Sequence, residues 1–181
     1  MRSLTSLEPA DFRELSCPWC GSTPGDASAG FKVSRGGRTI GMIAVSPPDR
    51  GRDLCPPRSV VLTQLWVAPA DLGEHVGTQL LQRLCAHLVS QRVRCLVAYG
   101  RPGRPDCGHP PAGWLEQQGF AEHIAGVQWR LDLRRTARVP EWARGARRWA
   151  SGLRLAPDGG ATSALVGTRN GARRPKPTDA E

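Results

Sequence analysis

The sequence predicts an α/β or α+β fold with a mixed central sheet, a parallel strand–helix–strand crossover and a basic helix near the C-terminus. Three observations predict it: an apolar run at Val60–Pro69, a helical apolar period after it, and a second apolar run at Arg94–Tyr99. A helix between two buried strands connects parallel neighbours in one sheet, because antiparallel neighbours need only a short turn.

The apolar residues are concentrated in the middle of the chain. Leu, Ile, Val and Phe number 36 in 181 residues, and 21 of them lie in Val60–Leu133. Segments that are poor in apolar residues cannot bury enough surface to stay ordered. We therefore expect one domain over 31–133, a partly flexible segment over 1–30, a basic helix over 134–153 and a disordered tail over 154–181.

The first half of the domain reads as a hairpin followed by a strand. Phe31–Pro48 contains two alternating runs around Arg35–Arg38, whose two glycines supply the positive φ angles of a tight turn. Val60–Pro69 is rich in β-branched residues and ends at a proline, which predicts a buried strand. A short polar loop, Ala70–His75, follows it.

A helix leads from this strand to the second crossover strand. Val76, Leu80, Leu81, Leu84 and Leu88 recur at helical spacing, which predicts an amphipathic helix of about four turns that ends near residue 90.

The remaining elements of the domain are shorter. Arg94–Tyr99 predicts a buried strand, and Pro110–Pro111 suits the first turn of a helix that carries Trp114 and ends at Gly119. Gln128–Leu133 alternates and predicts the closing strand.

The basic segment carries most of the positive charge. Arg134–Arg154 contains seven Arg and one Glu, +6 of the net +9, and Trp142 and Trp149 lie among them. A solvated helix face and a surface that binds nucleic acid or another polyanion both remain open, and no nucleic-acid motif is present.

The six cysteines favour reduced thiols. No apolar run marks a signal peptide or a membrane span, so we expect a cytoplasmic protein that makes no membrane contact. Cys17-Pro-Trp-Cys20 could be half of a zinc site or a redox motif. No second pair follows at the usual spacing, so we expect two ordinary thiols and no metal.

The junction Leu65–Thr78 is the candidate binding site. The first amides of a helix have no intrahelical acceptor, and the helix dipole adds partial positive charge there. Such a junction can hold phosphate or pyrophosphate, and Gly73 and Gly77 allow close approach.

The stretch VVLTQLWVAPADLGEHVGTQLLQRL resembles the acetyl-CoA motif of the GNAT superfamily of N-acetyltransferases, with the signature at Leu72–Gly77. Trp114–Phe120 and Gln128–Leu133 resemble the family's later helix and closing strand, so the resemblance covers Phe31–Trp149. Pro47-Pro48 is similar to a branch common in actinobacteria. The resemblance implies a GNAT-like fold, acetyl-CoA as cosubstrate, and a small-molecule or protein amine as acceptor. The oligomeric state stays open between a monomer and a homodimer.

The resemblance also implies which residues bind the cosubstrate: Leu65, Trp66, Val67, Leu72, Gly73, Glu74, His75, Val76, Gly77 and Thr78. Three positions depart from the family pattern. Leu72 stands where Arg or Gln is usual, His75 replaces a glycine, and Leu115 stands at the position of the usual general-acid tyrosine.

Acetyl transfer requires a proton for the departing thiolate, and a donor with a similar pKa suits it. Cys107, His109 and Tyr99 are the candidate catalytic residues. Because three family positions are altered, a GNAT-fold binding module without catalysis remains an alternative to an acetyltransferase.

Overall fold

The computed structural model describes residues 1–49, 54–100 and 106–136. The predicted basic helix over 134–153 lies outside this part except for its first residues, and the predicted tail lies wholly outside it. Among the described residues, no helix is both long and apolar enough to cross a membrane.

One mixed sheet of seven strands organises the described chain, in the order β1-β2-β3-β4-β5-β7-β6. The strands are β1 (Arg2–Ser6), β2 (Ala29–Arg35), β3 (Arg38–Ser46), β4 (Ser59–Val67), β5 (Cys95–Tyr99), β6 (Ala121–Ile124) and β7 (Gln128–Asp132). The helices are α1 (Asp11–Glu14), α2 (Val76–Ser90), α3 (Ala112–Gln117) and α4 (Leu133–Thr136). The pairing of β4 with β5 is parallel and the other pairs are antiparallel, which confirms the predicted mixed sheet and its crossover.

Both faces of the central strands are covered, which explains why β4 is nearly continuous in apolar residues. On one face, α2 contributes Leu80, Leu84 and Leu88 to the main core. On the other face, Met42 and Trp66 pack with Cys17 from the N-terminal segment. Neighbouring residues of β3 therefore contribute to different cores, as strand alternation requires.

The N-terminal segment belongs to the sheet. β1 pairs antiparallel with β2 along its whole length, and Cys17 is buried. The ordered domain thus begins before residue 31, where the sequence analysis placed its boundary. β1 and β6 were not predicted because both are edge strands with many exposed residues, which leaves no clear apolar alternation.

The predicted turn between β2 and β3 is confirmed. Gly36 and Gly37 have φ angles of 57° and 80°, in the left-handed region that favours glycine.

Truncation of Leu84 to Ala should lower the free energy of unfolding by about 2–5 kcal/mol, because it leaves a cavity between α2 and the sheet. Urea denaturation measures this change. Val89→Ala on the same helix is the matched control, since Val89 is 44% exposed, and it should cost less than about 0.5 kcal/mol. Equal effects of the two changes would contradict the packing of α2 on the sheet.

Candidate functional site

The central feature of the site is the divergence of β4 from β5. The two strands pair from Ser59↔Cys95 to Leu62↔Ala98, and β4 then continues alone on this edge to Val67. The register between β3 and β4 shifts next to the same point, leaving Thr63 as an extra residue. A bulge increases local twist, so it accompanies the separation of the two strands.

A cavity of about 1340 Å³ opens where the strands diverge. It is bounded by the end of β4, the loop that follows, the first turn of α2, and α3 with the residues before it. Every residue predicted from the resemblance to bind the cosubstrate lines this cavity except Glu74. The lining from the predicted set is Leu65, Trp66, Val67, Leu72, Gly73, His75, Val76, Gly77 and Thr78.

The first turn of α2 presents backbone donors to this cavity. The first intrahelical bond runs from the Gln79 N–H to the His75 carbonyl, so the amides of Val76, Gly77 and Thr78 have no intrahelical acceptor. No side chain caps this end of the helix. These amides and the helix dipole together suit an anionic group.

His75 adopts a left-handed backbone conformation, with φ 59° and ψ 18°. Gly73, two residues earlier, has a φ of 80°. A residue with a side chain is strained in this region, so the structure explains why a glycine at position 75 would be favourable.

The two acidic residues of the loop are neutralised by three arginines. Asp71 is buried, and its carboxylate lies 3.0 Å from Arg35 Nη1 and 2.9 Å from Arg38 Nη2. Glu74 forms ion pairs with Arg2 and Arg35. Together the two carboxylates and the three arginines around them have a net positive charge, although the loop itself is acidic.

The free edge of β4 is partly occupied by other segments. The Ala68 N–H donates to a carbonyl of β3. In an antiparallel pair the backbone N–H and C=O groups of successive residues point alternately to the two sides of the strand. The groups of Leu65 and Val67 therefore point away from β3 and towards the cavity. The Leu65 N–H donates to the Cys107 carbonyl at 2.6 Å, and the Trp19 Nε1–H donates to the Val67 carbonyl at 2.9 Å. The Val67 N–H lies on this edge and can serve a ligand.

A smaller cavity of about 350 Å³ lies next to the first one. Cys20, Asp106 and Cys107 line both cavities and form a shared wall. The other residues that line the smaller cavity are mainly polar and include Ser22, Thr23, Thr63 and Gln64.

The three candidate catalytic residues are placed differently. Cys107 lies on the shared wall. His109 and Tyr99 line neither cavity: His109 Nδ1 lies 2.9 Å from Asp106, and the Tyr99 hydroxyl accepts a hydrogen bond from Gln128.

Burial opposes ionisation of Asp106, but hydrogen bonds from His109 and Gly108 outweigh it and lower the pKa of this carboxyl.

The fold brings a third cysteine to the Cys17–Cys20 pair, which the sequence analysis did not foresee. The sulfurs of Cys17, Cys20 and Cys107 all lie within 4.8 Å of one another. Burial raises the pKa of the Cys17 thiol to about 11, whereas hydrogen bonds from Ser22 lower the pKa of Cys20 to about 7. Cys20 and Cys107 are 87 positions apart, so local spacing carried no signal of this cluster.

The sequence matches the model of the acetyltransferase (GNAT) family over residues 2–105. The chain belongs to the GNAT acetyltransferase family. This confirms the resemblance stated above. The match also reaches further towards the N-terminus than the resemblance did, since it begins 29 positions before Phe31 and includes β1.

Solved structures share the fold of this GNAT chain. The ribosomal-protein-S18-alanine N-acetyltransferase from Escherichia coli is 17% identical, with a TM-score of 0.55 over 74% of this chain and 94% of that one. A GNAT acetyltransferase from Brucella melitensis in complex with acetyl-CoA is 20% identical, with a TM-score of 0.52 over 73% and 88%. An N-acetyltransferase from Staphylococcus aureus is 13% identical, with a TM-score of 0.53 over 74% and 99%. No curated protein matches this GNAT chain in sequence.

Replacement of His75 by Gly should raise the free energy of unfolding by about 0.5–1 kcal/mol, since relief of backbone strain exceeds the entropic cost of glycine. His75→Val should lower it by at least about 1 kcal/mol, because β-branched residues avoid this region. Leu72→Gly is the control, since Leu72 has a φ of −64°. A gain for Leu72→Gly that equals the gain for His75→Gly would refute the assignment of strain to position 75.

Proposed function

We propose that this chain binds acetyl-CoA in the larger cavity and transfers the acetyl group to an amine that enters from the smaller one. The observation that carries the proposal is the row of uncapped amides at Val76–Thr78, which face a cavity that continues along the free edge of β4. One end of that cavity suits a pyrophosphate, and the other offers backbone groups to an extended amide chain.

The residues present fit acetyl-CoA at both ends. Gly77 contributes no side chain, and a Cβ at this position would meet atoms of Trp114 and Val67 only at 3.5 and 3.8 Å. The backbone can therefore approach a phosphate closely. Arg2, Arg35 and Arg38 remove the repulsion that Asp71 and Glu74 would otherwise exert on the anion.

The edge of β4 orients the reacting end of the cosubstrate. Acetyl-CoA supplies an activated thioester carbonyl when bound. The Val67 N–H is directed towards the cavity and can donate to an amide or carbonyl oxygen of the bound molecule. A donor fixed by the sheet needs no reorganisation during reaction, which favours charge development on a carbonyl oxygen.

The acceptor enters on the far side of the shared wall. The hydroxyls of Ser22, Thr23 and Thr63, together with the Gln64 side chain, provide hydrogen-bonding groups for a polar amine. Of the three candidate proton donors, Cys107 is the one placed between the two cavities among the described residues.

Thermal unfolding with and without acetyl-CoA tests the cosubstrate site. At about 100 times its dissociation constant the ligand should stabilise the wild type by roughly 2.7 kcal/mol, a shift of several degrees. Gly77→Trp fills the cavity and should abolish the shift. Gly113→Trp is the matched control, because a Cβ at Gly113 on α3 meets no atom within 4 Å, and this variant should keep the shift.

No shift in the wild type at millimolar acetyl-CoA would refute the cosubstrate site. Acetyl transfer itself is tested by mass spectrometry of amines incubated with the protein and acetyl-CoA. A thermal shift without any acetylated amine, across primary amines and peptide N-termini, would favour the binding module over the enzyme.

A further inference from the structure

We propose that Cys17, Cys20 and Cys107 form a zinc site that joins the N-terminal segment to the wall between the two cavities. The site does not depend on the proposed acetyl-CoA binding, and it goes against the sequence expectation that the Cys17–Cys20 pair binds no metal.

The geometry of the three sulfurs carries the proposal. All three lie within 4.8 Å of one another, and the sulfurs of Cys20 and Cys107 are 3.2 Å apart. Zinc binds thiolate sulfur at about 2.3 Å in a tetrahedral arrangement, which places neighbouring sulfurs roughly 3.8 Å apart. A zinc ion therefore fits the cluster if the sulfur–sulfur separations change by up to about 1 Å.

The cluster is assembled by the tertiary fold rather than by one loop. Cys17 and Cys20 come from the segment that covers the sheet, and Cys107 precedes α3. Cys17 is 2% exposed and Cys107 is 9% exposed, so two of the three thiols are held in the protein interior. Free Cys is often buried as a small apolar residue, so the convergence of three sulfurs, rather than their burial, is what points to a metal.

Hydrogen-bonding groups surround the sulfurs. The Trp19 N–H points to the Cys17 sulfur at 3.5 Å, and the Gln64 Nε2 lies 3.5 Å from the Cys107 sulfur. The Ser22 hydroxyl lies 2.9 Å from the Cys20 sulfur and 3.0 Å from the Cys107 sulfur, and its single proton can be donated to one of the two. Donors around metal-bound thiolates orient the ligands and tune the metal, so these contacts match the surroundings of a thiolate site.

The turn through the pair also presents both sulfurs to one side. The Gly21 N–H donates to the Cys17 carbonyl at 2.8 Å, and the Cys17 N–H donates to the Ser22 carbonyl at 2.8 Å. Gly21 has a φ of 75°, which lets the chain reverse directly after Cys20. The C-x-x-C spacing is the one found in structural zinc sites.

Three thiolates leave the fourth position of a tetrahedral ion for a ligand from outside the cluster. Cys20 and Cys107 line both cavities, so solvent reaches this region. Zinc ligation also changes the role of Cys107, because a zinc-bound thiolate has no proton to donate. The proton donor for acetyl transfer would then be a group other than Cys107.

The test is elemental analysis of the full chain, purified under reducing conditions after growth with zinc. We expect about one zinc ion per chain in the wild type and loss of most of it in Cys17→Ser and Cys107→Ser. Cys55→Ser is the matched control, because Cys55 lies outside the cluster, and it should keep its zinc.

Cobalt(II) added to metal-free protein is the second probe. Wild type and Cys55→Ser should develop thiolate-to-cobalt charge-transfer absorption and the visible bands of a tetrahedral ion, and Cys20→Ser should weaken both. Peptide mapping after alkylation provides a readout that needs no variant. Zinc should protect Cys17, Cys20 and Cys107 and leave the labelling of Cys55 unchanged.

Absence of stoichiometric zinc, together with absence of cobalt bands in folded, reduced protein, would overturn the proposal. A Cys20–Cys107 disulfide in the protein as purified under reducing conditions, with no zinc present and the bond located by peptide mapping, would also overturn it. Neither result would contradict acetyl-CoA binding, because the thermal shift measures that binding separately.

Discussion

The separation of β4 from β5 is the constraint on which the rest of the site depends. A central strand normally satisfies its backbone groups on both sides, and an unpaired buried N–H or C=O is costly. After Leu62 the groups of β4 on the β5 side need other partners. The Cys107 carbonyl and the Trp19 indole supply two of them, and the remaining edge is open to a ligand. The binding surface and the segments that border it therefore arise from one break in the sheet.

The helix end and the strand edge are linked through the crossover. Because β4 runs directly into the loop that begins α2, the uncapped amides of Val76–Thr78 lie at the same end of the sheet as the free edge of Val67. In open α/β sheets, ligands bind in a crevice outside the carboxyl ends of the strands, and this cavity lies at the carboxyl end of β4. One connection thus positions both ends of a long ligand.

Sequence reasoning found the parts of this arrangement that depend on local periodicity. The β4–α2–β5 unit and the turn at Gly36 are local patterns, and their positions were predicted closely. Arg2, Arg35 and Arg38 were not foreseen as partners of Asp71 and Glu74, because three strands deliver them to the loop. The position of Cys107 beside Cys17 and Cys20 likewise depends on how loops pack, which no spacing records. The Cys-Pro-x-Cys pair indicates that two thiols lie together, but it carries no information about the third.

The strand order has a consequence for how the chain reaches this structure. β1 to β4 are neighbours in sequence and in the sheet, so their contacts close shorter loops than contacts between distant segments and can form earlier. Contacts between distant segments form more slowly, because a longer loop loses more entropy on closure. The contact between Cys20 and Cys107 spans 87 positions. During synthesis, the antiparallel half of the sheet can assemble first, and the wall between the two cavities is completed only after the chain beyond β5 has emerged.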